Sequence, residues 1–347
     1  MTLFSIDLGN KQTKLKSEHK TIVLPSYFVE ASRFGNRDVL GFIKSDKAVR
    51  DYESTNDKGF TYVWGTDIDF STVDVVQDTL GFGVDRYASR DFQLLVDFAL
   101  AELAIDYEAA HTGILEVDAV TGVPTSDYNQ DVALTKLVDA IKGDHHITVD
   151  GQPLNVRVKT VNILPQPLGT VLNEVLDSNG EMLDSDINDA VIGVVDVGGG
   201  TVLIDALAQL NMVEDKRNQL ERGAYTVYDK VKRGIQKDGH KISEYEVTDL
   251  LRANDEVYVW SPDGVQQIDF SHIVLRERTL FTREIATAIK QTYKGIDRMR
   301  KILITGGAAN LLDKKEFVKE IEKAEFVDDS ELANVNGFYK YGVQLEG

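Results

Sequence analysis

Val195-Asp196-Val197-Gly198-Gly199-Gly200-Thr201 repeats, 189 positions on, the pattern of Ile6-Asp7-Leu8-Gly9-Asn10-Lys11-Gln12-Thr13. In each copy an apolar run ends at an Asp, a glycine follows two residues later, and a second β-type run leaves the turn. Both read as strand, phosphate-sized turn, strand. Glycine removes a Cβ where the backbone bends tightly or approaches another group, and the N–H groups of such a turn can face an anion. The Asp is placed to hold a cation beside that anion, directly or through water. Two such hairpins facing each other would clamp a nucleotide's phosphates and their Mg²⁺ from both sides. An Asp-x-Gly also serves as an ordinary β-turn. The run Gly198-Gly199-Gly200 carries a backbone-entropy cost that a two-residue turn does not require, which favours the phosphate reading for the second copy.

A chain of 347 residues predicts two domains with ample core. Its 57 acidic against 38 basic residues give a formal charge of -19. Strong direct DNA binding is therefore disfavoured, and any nucleic acid would be reached through a basic partner. The chain has no cysteine, so disulfides and thiolate metal sites are excluded. It shows no signal-peptide pattern and no apolar run near the ~20 residues that span a bilayer, so the expectation is a cytoplasmic chain without a membrane partner.

Periodicity predicts strands over 3–7 and 12–17, a third β-rich piece over 20–30 broken near Pro25, and mostly loops and edge strands over 32–89, with strand-like fragments such as Tyr62-Val63-Trp64. A buried helix follows over 92–105, then a strand over 114–123, a turn at Gly122-Val123-Pro124-Thr125-Ser126, a helix over 132–141 and a strand over 154–164. After Pro165 a helix is expected from about Gly169, with Gln166 as its cap. The second half reads as a strand over 190–195, the repeated hairpin, a helix after Gly223, a long helix over 276–299 and a strand over 302–305. Gly306-Gly307-Ala308 then turns toward a helix near Asn310, and a short helix closes the chain. Ile273-Val274-Leu275 fits no predicted element. His145-His146 reads as a solvated loop rather than a metal site, and Tyr225, Tyr228 and Tyr293 read as core. Together these describe an α/β protein with two related lobes and a ligand between them.

The order of these elements resembles the actin, seventy-kilodalton chaperone and sugar kinase ATPase superfamily. Within it the chain is most similar to bacterial actin-like proteins of plasmid segregation, the ParM type and its Gram-positive branch. The residues that carry this are Ile6-Asp7-Leu8-Gly9-Asn10 with Lys14, Thr121-Gly122-Val123-Pro124-Thr125, Gln166-Pro167-Leu168-Gly169-Thr170, the second hairpin, Thr305-Gly306-Gly307-Ala308, and Ala333-Asn334-Val335-Asn336-Gly337-Phe338. The resemblance implies an actin-like (ribonuclease H-like) ATPase fold. Lobe I would take 1–166 plus about 320–347, with a variable subdomain within about 30–90. Lobe II would take 167–319, with one within about 225–275.

It further implies that Asp7 and Asp196 hold Mg²⁺, mostly through water, while Gly9, Asn10, Thr13, Gly198, Gly199, Gly200 and Thr201 bind the phosphates of ATP, with GTP as the alternative nucleotide. Lys14 would add positive charge there. Gly306, Gly307 and Ala308 would floor the nucleoside, with Gly223 on another wall. Gln166 would orient the attacking water. A glutamine positions water by hydrogen bonding but is no strong general base, so hydrolysis would be slow until closure or assembly perfects the geometry. The implied activity is an ATPase coupled to polymerisation: a filament of this chain that separates plasmid copies through a small DNA-binding adaptor at a centromere-like site, with hydrolysis triggering disassembly. The alternatives are a sugar kinase of the same fold, for which Asp127 is the candidate acid or base, and a phage or cell-shape filament protein without plasmid cargo. The acidic run Asp328-Asp329-Ser330-Glu331 reads as solvated surface.

Overall fold

A computed structural model describes residues 2–34, 49–66, 75–183, 190–252 and 257–346. Two stretches of the region expected to hold a variable subdomain, 35–48 and 67–74, lie outside the described residues. The chain divides into two compact units, Met1–Met182 with Asn334–Gly347, and Leu183–Ala333.

The first unit is built on a ten-stranded sheet. Its strands are β1 (Thr2–Leu8), β2 (Gln12–Lys16), β3 (Thr21–Pro25), β4 (Tyr27–Glu30), β5 (Val49–Ser54), β6 (Tyr62–Gly65), β7 (Gln77–Asp78), β8 (Leu115–Val123), β9 (Gly143–Val149) and β10 (Gln152–Pro165), in the spatial order β3-β2-β1-β8-β10-β9-β5-β6-β4-β7. β1 pairs antiparallel with β2 and parallel with β8, which pairs parallel with β10. Such a central strand is covered on both sides, and Leu3 through Leu8 are all buried.

The second unit has β11 (Val191–Val197), β12 (Val202–Ala208), β13 (Asn211–Met212), β14 (Asn218–Leu220), β17 (Lys301–Thr305) and β18 (Ala324–Phe326) in one sheet, with β15 (Val259–Trp260) and β16 (Ile268–Asp269) as a separate pair. Here β11 pairs antiparallel with β12 and parallel with β17, which pairs parallel with β18. The pairing around β11 thus repeats that around β1, so the duplicated hairpin belongs to a duplicated sheet.

The helices are α1 (Gly83–Tyr87), α2 (Arg90–Ala104), α3 (Glu108–Thr112), α4 (Thr125–Tyr128), α5 (Asp131–Ile141), α6 (Gln166–Val175), α7 (Ala224–Lys237), α8 (Glu244–Arg252), α9 (Ser271–Thr292), α10 (Lys314–Glu320) and α11 (Ala333–Glu346). The Ser89 hydroxyl caps α2 by accepting from the Phe92 amide. Phe98 on that helix packs its ring 5.1 Å from Phe28 and 4.9 Å from Tyr52, which ties the β4–β6 part of the sheet to α2. α6 packs on β8 and β10, and the Thr170 hydroxyl donates to Asn334 Oδ1 at 2.7 Å, so this helix sits in the first unit with α11. The segment before α11 goes with the second unit, because β18 pairs with β17.

Several expectations need correction. β5 and β6 are interior rather than edge strands, because β6 lies between β5 and β4; the strand-like fragment Tyr62-Val63-Trp64 is a strand, and all three residues are buried. His145-His146 lies within β9, not in a solvated loop, and His145 is buried. The turn after β8 includes a helical turn, α4. α6 starts at Gln166 itself with Pro167 in its first turn, where a missing N–H costs nothing. Ile273-Val274-Leu275 belongs to α9, which ends at Thr292 and is followed by Gly295 at φ +76°. Gly306-Gly307-Ala308 leads into the 3₁₀ turn Ala309–Leu311, and the next α-helix starts only at Lys314. The closing helix runs 14 residues rather than being short. Tyr225 is 42% exposed, whereas Tyr293 is core.

Candidate functional site

Asp7 is buried at the end of β1, opposite Lys14 in the β1–β2 register. Its two carboxylate oxygens have different neighbours. The Gln166 side-chain amide donates to Oδ1 at 3.1 Å, and Lys14 Nζ lies 3.5 Å from Oδ2. The strand end, the returning strand and the first residue of α6 thereby meet at one carboxylate.

The turn after Asp7 is held from behind. A Cβ on Gly9 would sit 2.7 Å from the Gln12 carbonyl, so the tight turn demands glycine. The Gly9 carbonyl accepts from Ser26 Oγ at 2.6 Å and from the Arg86 guanidinium at 3.0 Å. A trans peptide carries its C=O and the following N–H on opposite sides, and there is no cis peptide among the described residues. The Asn10 amide therefore points away from Ser26 and Arg86. Asn10 Oδ1 accepts from the Gly81 amide at 3.1 Å. Thr13 is fully buried with its hydroxyl 2.9 Å from Ser26 Oγ, so it braces the turn. Burial pulls the Arg86 guanidinium below its ordinary pKa, opposed by Tyr87, Asp127 and Asp7.

The second hairpin is held in the same way by different means. The Gly198 amide closes the turn onto the Thr201 carbonyl at 2.9 Å. The Gly198 and Gly199 carbonyls accept from the first amides of α7, Ala224 at 3.1 Å and Tyr225 at 2.9 Å, which uses donors that a helix start would otherwise leave unpaired. By the same peptide geometry the Gly199 and Gly200 amides point away from α7. Gly223 is buried, and a Cβ there would collide with both carbonyls, so the glycine lets α7 approach the turn. Gly200 is exposed, with open space where a Cβ would stand.

Gly306 follows β17 beside Asp196, at φ +97°, and a Cβ there would press on the Asp196 carboxylate and the Val197 backbone. The Ala308 amide donates to the Val197 carbonyl at 2.9 Å, and Ser330 Oγ to the Gly306 carbonyl at 3.1 Å. Gly306 and Ala308 are buried and Gly307 is exposed, so Gly307 carries the open face of this loop. Within the second unit the structure brings together Asp196, the hairpin turn, Gly223 and Gly306–Ala308. Within the first it brings together Asp7, Lys14, Gln166, Gly9 and Asn10.

Arg86, Ser26 and Arg278 have functional placements that sequence reasoning missed. Arg278 donates to the carbonyls of Leu311 and Asn310, both at 2.9 Å, and so holds the turn after Gly306–Ala308. The flanking glycines, Gly81 at φ +149° and Gly83 at φ +59°, were the signal that the chain before Arg86 takes a special path.

Asp127, the candidate acid or base, is buried and occupied: Tyr87 donates to its Oδ2 at 2.7 Å and the Gly83 amide at 3.0 Å. Among the described residues no group of three or more His, Cys, Asp or Glu is placed to hold a metal. None of the described helices is long and apolar enough to cross a membrane.

A fold of duplicated sheets, each with an Asp-ended glycine hairpin on its central strand, defines an actin-like protein. Residues 5–169 match the family described as actin like proteins N terminal domain, and residues 194–317 that described as archaeal actin homologue MreB-like, C-terminal. The chain belongs to the actin-like superfamily. Among solved structures it is similar to the apo psk41 ParM protein, at 22% identity and TM-score 0.79 over 99% of this chain and 98% of that one. It is also similar to Ta0583, an archaeal actin homologue solved in complex with ADP, at 17% identity and TM-score 0.74 over 99% of each chain. The Alp12 filament structure matches at 16% identity and TM-score 0.67, over 100% of this chain and 99% of that one. At these identities the likeness is one of fold. Comparison with curated protein sequences finds no match.

Proposed function

We propose that this chain is a nucleotide-dependent, filament-forming ATPase that moves plasmid DNA through an adaptor. The observation that carries the reading is the twofold occurrence of one device: an Asp at a strand end and a glycine turn whose carbonyls are held from behind, leaving the next amides turned outward. Such amides suit phosphate oxygens. Each hairpin, in its own unit, would offer its outward amides to phosphate oxygens of a nucleotide.

The residues present fit a magnesium ion of the nucleotide-bound kind. Mg²⁺ keeps several waters and takes one or two carboxylates plus phosphate oxygens. Asp7 in the first unit and Asp196 in the second are each, within their own unit, the carboxylate that would suit such an ion, which would neutralise charge developing on the phosphates. Lys14, 3.5 Å from Asp7, adds a fixed cation to the same place. Gln166, which donates to Asp7 at 3.1 Å, is the group that would present its amide to an attacking water. It aligns that water without removing a proton from it, so turnover waits on geometry. Slow turnover in the free subunit and faster turnover in a polymer follow, as suits a timer of filament lifetime.

The ParM and Alp proteins similar in fold support the filament reading, and the complex of Ta0583 with ADP supports a nucleotide. The net charge of -19 disfavours direct contact with DNA and so supports reaching it through a basic adaptor. The engagement of Asp127 by Tyr87 and Gly83 counts against its use as the acid or base of a sugar kinase. Sedimentation with Mg²⁺ and ATP, ADP or no nucleotide tests the proposal. Polymer that pellets with ATP and not without nucleotide supports it; no polymer over a wide range of concentration and salt contradicts it.

A further inference from the structure

Arg86 belongs to none of the steps above, yet it is 6% exposed and its guanidinium is spent on backbone. Nε donates to the Thr79 carbonyl at 2.7 Å and Nη2 to the Gly9 carbonyl at 3.0 Å. The group lies 4.9 Å from the centroid of the Phe92 ring, which fixes its plane. Its own helix is pinned in turn, because Asp127 takes both the Gly83 amide and the Tyr87 hydroxyl. A planar guanidinium donates in fixed directions and can bridge two carbonyls that a lysine ammonium cannot hold in the same geometry.

The bridged carbonyl is the one whose orientation matters. Glycine tolerates many backbone conformations, so the Gly9–Asn10 peptide, left free, could turn its carbonyl to either side. One orientation offers an amide hydrogen to an anion; the other offers a carbonyl oxygen, which repels it.

We propose that Arg86 is a positioning residue, which with Ser26 locks the Gly9–Asn10 peptide so that the Asn10 amide, and not the Gly9 carbonyl, faces the phosphates of the bound nucleotide. The inference rests on the nucleotide reading above. It predicts an effect confined to the phosphate end of the ligand: loss of the lock weakens ATP and leaves the nucleoside untouched.

The test is calorimetric titration of the full chain with ATP and Mg²⁺, and separately with adenosine, at protein concentrations below those that give sedimentable polymer. Arg86→Gln should lose about tenfold or more in ATP affinity, the scale of one charge-assisted hydrogen bond, with adenosine affinity unchanged. Arg86→Lys should fall with it on ATP, because a point charge does not replace the fork. Ser26→Ala, a smaller change that removes one donor to the same carbonyl, should show the same selectivity with a smaller loss. If Arg86→Gln weakens both ligands together, Ser26→Ala decides: a selective loss of ATP supports the lock, and an unselective loss or none overturns it. Wild-type ATP affinity in Arg86→Gln or Arg86→Lys overturns it outright. A wild-type chain that binds no ATP overturns the nucleotide reading itself, and the inference with it.

Discussion

Gln166 and Asp7, 159 residues apart in the chain, are joined by a 3.1 Å hydrogen bond from amide to carboxylate. The bond places the first residue of α6 at the end of β1, so the group assigned to water and the group assigned to the cation hold each other in register. Replacing Gln166 by Ala should leave ATP affinity near wild type and slow phosphate release by about a hundredfold, the scale of a misplaced water. Single-turnover phosphate release, set beside ATP titration, reads this. An unchanged rate would remove Gln166 from the mechanism.

Phe338 seats its ring against Gly122 and Gly169, and Gly337 lies on the Gly169 carbonyl. Sequence motifs from three distant places meet here as packing between β8, α6 and α11. Phe338→Ala should cost about 3–5 kcal/mol in urea unfolding, as large aromatic truncations in cores do. Gly169→Ala should also destabilise by overpacking, and pairing it with Phe338→Leu should recover part of the loss, because residues in direct contact do not behave additively. Equal losses in the single and double variants would contradict the seating.

The glycines of the second unit separate into structural and open ones. Gly306→Ala sets a Cβ against Asp196 at φ +97°, and Gly223→Ala sets one against the Gly198 and Gly199 carbonyls, whereas Gly200→Ala meets nothing within 4 Å. Thermal melting should fall by several degrees for the first two, on the order of 1–3 kcal/mol each, and stay near wild type for Gly200→Ala.

His145 is buried between two acceptors, with Nδ1 2.7 Å from Asp97 Oδ1 and Nε2 2.9 Å from the Ile141 carbonyl. Both ring nitrogens face acceptors, an arrangement that favours the charged imidazolium, which donates from both. Burial opposes the charge, but the Asp97 hydrogen bond and its charge outweigh burial and raise the pKa above 6.5. With the folded value above the unfolded one, the stabilisation is whole below about pH 6.5 and fades as the pH rises through the folded value. Urea unfolding of wild type and His145→Gln between pH 6 and 9 should show a decline with pH in wild type that the variant lacks.

Much of this was legible because local sequence and tertiary demand agree. The hairpin glycines, the apolar run of α2 and the strands β8 and β10 are each required by their own backbone and by the core. The corrections fall where long-range packing overrides local character. The strand character of β6 shows in Tyr62-Val63-Trp64, but its interior place depends on Phe98 far along the chain, and the burial of His145 depends on Asp97. Arg86 left no periodic signal because its partners are carbonyls at Gly9 and Thr79, which every residue possesses. Asp7 and Asp196 were found from pattern; the groups that hold their turns were found only from the fold.

In the proposed function, nucleotide binding at the glycine turns drives assembly and hydrolysis follows it. Light scattering and phosphate release, recorded together after adding ATP and Mg²⁺ to wild type and to Asp196→Ala, test it most directly. Scattering should rise first, phosphate lag behind it and the polymer later decay, with both signals lost in the variant. Phosphate release without polymer, or polymer that forms equally in the Asp196→Ala protein, would contradict it.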